Sequence, residues 1–203
     1  MSFNPLFASD LLRQPDARAS IKLGAGRPRP GNTALLYLGE RALRSAARHT
    51  LEGVVEVPLA PCSWGDPWLS GSPVLDACLR AQQPPLAAGA LLPASGLERL
   101  YRCLAELNGE YVPALAAAAI ATRAAASRCL SSIEAAERYC DIVAWAAADL
   151  AVDAEAWAGV HLAGPMARAL RCFLELPRFR AALIRRQPAL RRLAELPVFL
   201  VLQ

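Results

Sequence analysis

Between Ser95 and Ala151 the chain is a nearly unbroken run of Ala, Leu and other small residues, and this run restricts the possible fold more than any other stretch. Ala is the best helix former and Leu follows closely, so we expect three consecutive helices. The first opens on Ser95-Gly96-Leu97-Glu98, which has the S-x-x-E form of a capping box. Leu97, Leu100, Tyr101, Leu104 and Leu107 follow at helical spacing, and Asn108-Gly109 is a stop signal. The second begins near Pro113, which suits a first turn because it needs no N–H there. Its uncharged stretch is much shorter than the roughly 20 apolar residues that span a bilayer, so we expect a buried helix. The third opens on Ser131-Ser132-Ile133-Glu134, again a capping-box pattern. Ile133, Ala136, Cys140, Val143, Ala147 and Leu150 form its apolar stripe, widened by Tyr139, Ile142 and Ala146. Glu134, Glu137, Arg138, Asp141 and Asp149 mark its polar side, with Trp145 at the edge.

Thr33 to Gly53 supports two readings. One is a single helix followed by an extended segment, and this is the one we favour. The other is a strand at Ala34–Leu38, a turn at Gly39, a helix to Leu51 and a strand at Val54–Val57. Residues 58–73 are punctuated by Pro and Gly and read as a loop. Trp64 and Trp68 lie in that loop and are candidate partner-binding residues, because Trp is enriched at interaction hot spots. Cys62, beside them, is the thiol expected to be most exposed. Further helices are expected from Ser72-Pro73 to about Gln82, from Gly164-Pro165 to Glu175, and from Pro177 onward. His161 falls in the Gly159–Gly164 connection and is expected to be a hydrogen-bonding group. The tail Val198-Phe199-Leu200-Val201-Leu202 is too apolar to hang free. It should pack, add a strand or meet a partner.

The resulting expectation is a mainly α fold: a multi-helix bundle of about seven to nine helices, with a possible small β element near residues 33–59 and an extended C-terminal tail. Residues 1–32 form an N-terminal extension with a basic Gly/Pro loop, and residues 33–203 form a single helical domain. Nothing at the amino terminus has the form of a secretory signal.

Charge supplies the functional hints. The formal net charge is +4, yet basic residues concentrate in 13–48 and 168–203 while 49–167 is acidic. The two ends are therefore suited to fold back onto the middle, or to leave a basic face for an anionic partner. Lys22 is the only lysine, so nearly all the positive charge is arginine. Arg178, Arg180, Arg185, Arg186, Arg191 and Arg192 form the densest set, and Arg forks suit carboxylates and phosphates. In the amino-terminal loop, Gly26-Arg27-Pro28 resembles the core of AT-hook minor-groove binders, with Ala25 where an arginine is expected. That resemblance implies contact with DNA.

No H-E-x-x-H, G-x-S-x-G, phosphate loop or cysteine–histidine metal spacing is present. With six cysteines lacking any C-x-x-C, we expect reduced thiols, no cofactor, no metal and a cytoplasmic location. The leading expectation is a non-enzymatic interaction module: an adaptor, scaffold or accessory subunit that binds a protein partner or itself. The alternative is a helical nucleic-acid-binding protein using the C-terminal arginines. The third is a small-ligand or Cys-dependent enzyme.

Overall fold

A computed structural model describes residues 20–24, 26–27, 29–50, 52–56, 59, 73–81, 88–187 and 189–202. Its centre is a six-stranded mixed sheet: β1 (Ser20–Leu23), β2 (Asn32–Leu38), β3 (Ala42–Thr50), β4 (Gly53–Glu56), β5 (Gly159–Ala163) and β6 (Val198–Val201), in the order β1-β6-β5-β2-β3-β4. β2, β5 and β6 run parallel, while β1, β3 and β4 pair antiparallel to their neighbours. The helices among the described residues are α1 (Pro73–Ala81), α2 (Ala94–Leu107), α3 (Ala117–Ala125), α4 (Leu130–Asp153), α5 (Pro165–Ala169), α6 (Arg171–Leu174) and α7 (Pro177–Arg186).

The expectation of a mainly α bundle is therefore wrong, and the fold is mixed α/β. The favoured helix over Thr33–Gly53 is instead two long strands, β2 and β3, followed by β4. β2 is central, and all its residues but the half-buried Tyr37 are buried. A parallel strand covered on both faces reads as a continuous apolar run, and such a run cannot be told from a buried helix by periodicity. β3 has the Ala/Arg composition of a helix. Its seven register pairs with β2, from Asn32↔Arg48 to Leu38↔Ala42, override that propensity. The Gly159–Gly164 connection is β5, buried throughout, and the apolar tail adds the parallel strand β6. The division expected after residue 32 falls inside β2, whose first residue is Asn32.

The Ala-rich run does form three helices. α4 has fifteen buried residues and is the spine of the main core cluster, packing on the sheet, α2, α3 and α7. Small Ala side chains at 135, 136, 144, 146, 147 and 148 let these elements approach closely. Neither capping box forms. α3 also starts four residues after Pro113, at Ala117, because Glu98 Oε1 accepts a hydrogen bond from the Ala117 N–H at 3.0 Å. The carboxylate expected to cap its own helix caps the next one. Glu98→Ala should therefore loosen the start of α3 and lower stability by ~1 kcal/mol, read from urea unfolding.

The polar side of α4 is covered by α7. Arg178 donates to Asp141 through Nε (3.1 Å) and Nη2 (2.7 Å), and to Glu137 through Nη1. Arg186 donates to Asp149 through Nε and Nη2, both at 2.9 Å. The basic end thus folds back onto the acidic middle at these two positions. No described helix is long and apolar enough to cross a membrane.

Candidate active site

Parallel strands in an open α/β sheet deliver their following loops to one edge, and ligands of such sheets bind outside the carboxyl ends of the strands. Here β2 and β5 end in near register, with Tyr37 opposite Ala163. Three arms meet beyond them. The first is the turn Gly39-Glu40-Arg41, closed by the Gly39 N–H donating to the Arg41 carbonyl at 3.2 Å. The second is the start of α2, tied to that turn by the Ala94 N–H donating to the Gly39 carbonyl at 2.8 Å. The third is Gly164-Pro165, which leads from β5 into α5.

Glycine is required at the joints. Gly164 has φ +102° and lies so close to β2 that a Cβ would stand 2.3 Å from the Leu38 carbonyl oxygen. At Gly96 a Cβ would stand 2.1 Å from the Leu91 carbonyl oxygen, which seats α2 on the short 3-10 turn before it. Pro165 at the first turn of α5 fits a position that needs no N–H. The exposed polar side chains of these arms are Glu40, Arg41, Ser95 and Arg168. Glu40 is the one carboxylate among them. The open first turn of α2, with no side chain capping it, adds the partial positive charge of a helix amino terminus.

The residues singled out from sequence lie elsewhere. Trp64, Trp68 and Cys62 fall outside the described residues. The six arginines do not act together. Arg178 and Arg186 are engaged by α4, and the hydrogen bond to Asp141 raises the Arg178 pKa above its ordinary value. Arg180 donates to the carbonyls of Leu196 (2.6 Å) and Ala194 (2.7 Å), with burial lowering its pKa. Arg192 stands over the Trp157 ring, 5.7 Å from its centroid, and Arg185 and Arg191 are exposed. In the amino-terminal loop Gly26 is buried against the backbone of Leu196 and Pro197.

Two of the thiols are held inert by burial. Burial pushes the pKa values of Cys103 and Cys140 well above the ordinary range, which keeps both protonated. His161 is buried on β5 and stacks on Phe199 at 5.0 Å between centroids. No group of three or more His, Cys, Asp or Glu that could hold a metal ion occurs among the described residues. Sequence reading noted Gly39 as a turn and Gly164-Pro165 as a helix start. The signal it lacked was the parallel register that brings them together.

An open mixed sheet with Gly-bearing arms gathered at the carboxyl ends of its parallel strands defines an α/β domain. Comparison with known proteins narrows the class. The family model described as Glucokinase matches residues 74–203, and the chain belongs to that family. No curated protein sequence matches it. Among solved structures, glucokinase from an Antarctic psychrotroph superposes with a TM-score of 0.78 at 23% identity, over 97% of this chain and 62% of that one. Glucokinase from Balamuthia mandrillaris, solved in complex with glucose, gives 0.73 at 18% identity over 97% and 57%. Glucokinase from Leishmania braziliensis gives 0.66 at 16% identity over 89% and 51%. At these identities the likeness is one of fold, and the chain spans about three-fifths or less of each of these proteins. The family match overturns the expected adaptor or scaffold role and the all-α description with it.

Proposed function

We propose that the chain acts in phosphoryl transfer to a sugar, with its part of the site at the carboxyl edge of β2 and β5. The observation that carries this is the meeting of three arms, at Gly39, Ala94 and Gly164, in a chain of the glucokinase family. Phosphoryl transfer needs little covalent chemistry from the protein, because catalysis is mostly positioning and stabilisation of charge on the transferring oxygens. Arg41 and Arg168 supply positive charge on the first and third arms, and the open first turn of α2 adds its own, a combination that suits the phosphates of a nucleoside triphosphate. Glu40 and Ser95 supply groups that hydrogen-bond to sugar hydroxyls. The glucose named with the Balamuthia protein makes a hexose the first substrate to test.

The test is a coupled assay of the purified chain with ATP and glucose, alongside calorimetric titration of each. Turnover, or glucose binding strengthened by ATP, supports the proposal. Absence of both across a panel of hexoses ends it. In an active protein, Arg41→Ala and Arg168→Ala should each raise the KM for ATP by about tenfold, the loss of one charge-assisted contact.

A cytoplasmic location is part of the same proposal. Its support is that all five described cysteines are free thiols, as suits a reducing compartment. Association with another protein or a second copy is kept as a proposal, and light scattering of the purified chain tests the self-association.

A further inference from the structure

The other edge of the sheet holds a second concavity, at the amino ends of the same parallel strands. Arg29 and Pro30 precede β2, Trp157 precedes β5, and Arg192, Glu195 and Leu196 precede β6; together they line a pocket of about 220 Å³ that opens to solvent. Because parallel strands send their two sets of loops to opposite edges, this pocket is separate from the arms at Gly39 and Gly164.

We propose that this pocket binds a small anion carried on a single flat ring. Three observations support the assignment. Trp157 is half-buried and offers an aromatic wall, with the Arg192 guanidinium over it at 5.7 Å. Guanidinium and indole planes both accept a stacked ring. Arg29 pairs with Glu195 at 2.5 Å, yet the two side chains are 58% and 60% exposed. An ion pair so open to water is worth only ~0–1 kcal/mol, so a carboxylate or phosphate entering the pocket can take Glu195's place on Arg29. Size sets the third limit. An apolar cavity of about 150 Å³ accepts benzene, so this pocket has space for one ring and its anionic group.

The ligand's anion can be a carboxylate or a phosphate, and the two are separated by titrating the full chain with benzoate and with phenyl phosphate in a calorimeter. Binding of at least one is expected, with cyclohexanecarboxylate and inorganic phosphate each at least about fivefold weaker, because neither stacks. Arg29→Gln and Arg192→Gln should each weaken binding by about tenfold. Glu195→Gln should tighten it by about threefold, since it removes the carboxylate that competes for Arg29. Tightening by Glu195→Gln is not a result that damage to the fold would produce. The proposal is overturned if neither aromatic anion binds at millimolar concentration, if inorganic phosphate binds as well as either, or if Arg192→Gln leaves the affinity unchanged. None of these readouts depends on catalytic activity, so failure here and failure of the sugar-kinase proposal are distinguishable.

Discussion

Gly164→Ala should be among the most damaging single substitutions in the chain, lowering stability by ~3–4 kcal/mol or preventing folding. Two costs add. The backbone is at φ +102°, where an L side chain is strained by ~1–3 kcal/mol. The new methyl would also meet the Leu38 carbonyl at 2.3 Å, and relieving that overlap requires β2 and β5 to separate, at a further ~1–3 kcal/mol. Gly109→Ala is the control. Gly109 also has positive φ (+67°), but nothing lies within 4 Å of the added methyl, so only the conformational cost of ~1 kcal/mol should appear. Urea unfolding of the two variants checks this. Equal losses would mean that the close approach at Gly164 has no energetic weight.

Arg178→Ala should be the second large effect, at ~3 kcal/mol. Asp141 is only 4% exposed, and Arg178 gives it two hydrogen bonds. Removing the arginine leaves a buried carboxylate whose other cation, Arg138, is 3.9 Å away. Breaking a buried pair from one side typically costs ~3–5 kcal/mol, and the partial exposure of Arg178 places this pair at the low end. The exposed pair Arg171–Glu175, four residues apart on the surface, should give less than ~0.5 kcal/mol when Arg171 is replaced by Ala. A double-mutant cycle with Asp141→Ala isolates the coupling. If Arg178→Ala unfolds no more easily than Arg171→Ala, the contact between α4 and α7 is not held by this pair.

These two sites also show where sequence reading succeeds. The stripe of α4, the stop at Asn108-Gly109 and the Pro-led starts of α5 and α7 are local patterns, and the structure follows them. The polar side of α4 and the C-terminal arginines were both visible as charge, and their mutual neutralisation was one of the two options that the charge layout allowed. The sheet was legible only in pieces: strands at Ala34–Leu38 and Val54–Val57 stood in the reading not favoured, and the tail was free to add one, but their pairing was not visible. β5 has five residues, and its partner β2 lies more than a hundred positions earlier, so no local period records the pairing. β3 is written in helix-forming residues and is a strand only because β2 and β4 flank it. The arms of the candidate site share that fate. Gly39 and Gly164 read as two ordinary turns until the parallel register sets Tyr37 opposite Ala163.

The strand order has a consequence for the order of assembly. β6 sits between β1 and β5, and Leu23 of β1 pairs with Val198 of β6. As the polypeptide emerges from the ribosome, the meander of β2, β3 and β4 can form from neighbouring residues, and the Ala-rich helices can follow. β1 must wait, unpaired, until β6 is made and docked on β5. Closing such distant pairings is slow compared with forming local ones. The buried edge of β2 that pairs with β5 likewise stays open while the more than one hundred residues between them are made, and this interval is when the nascent chain is most in need of a chaperone.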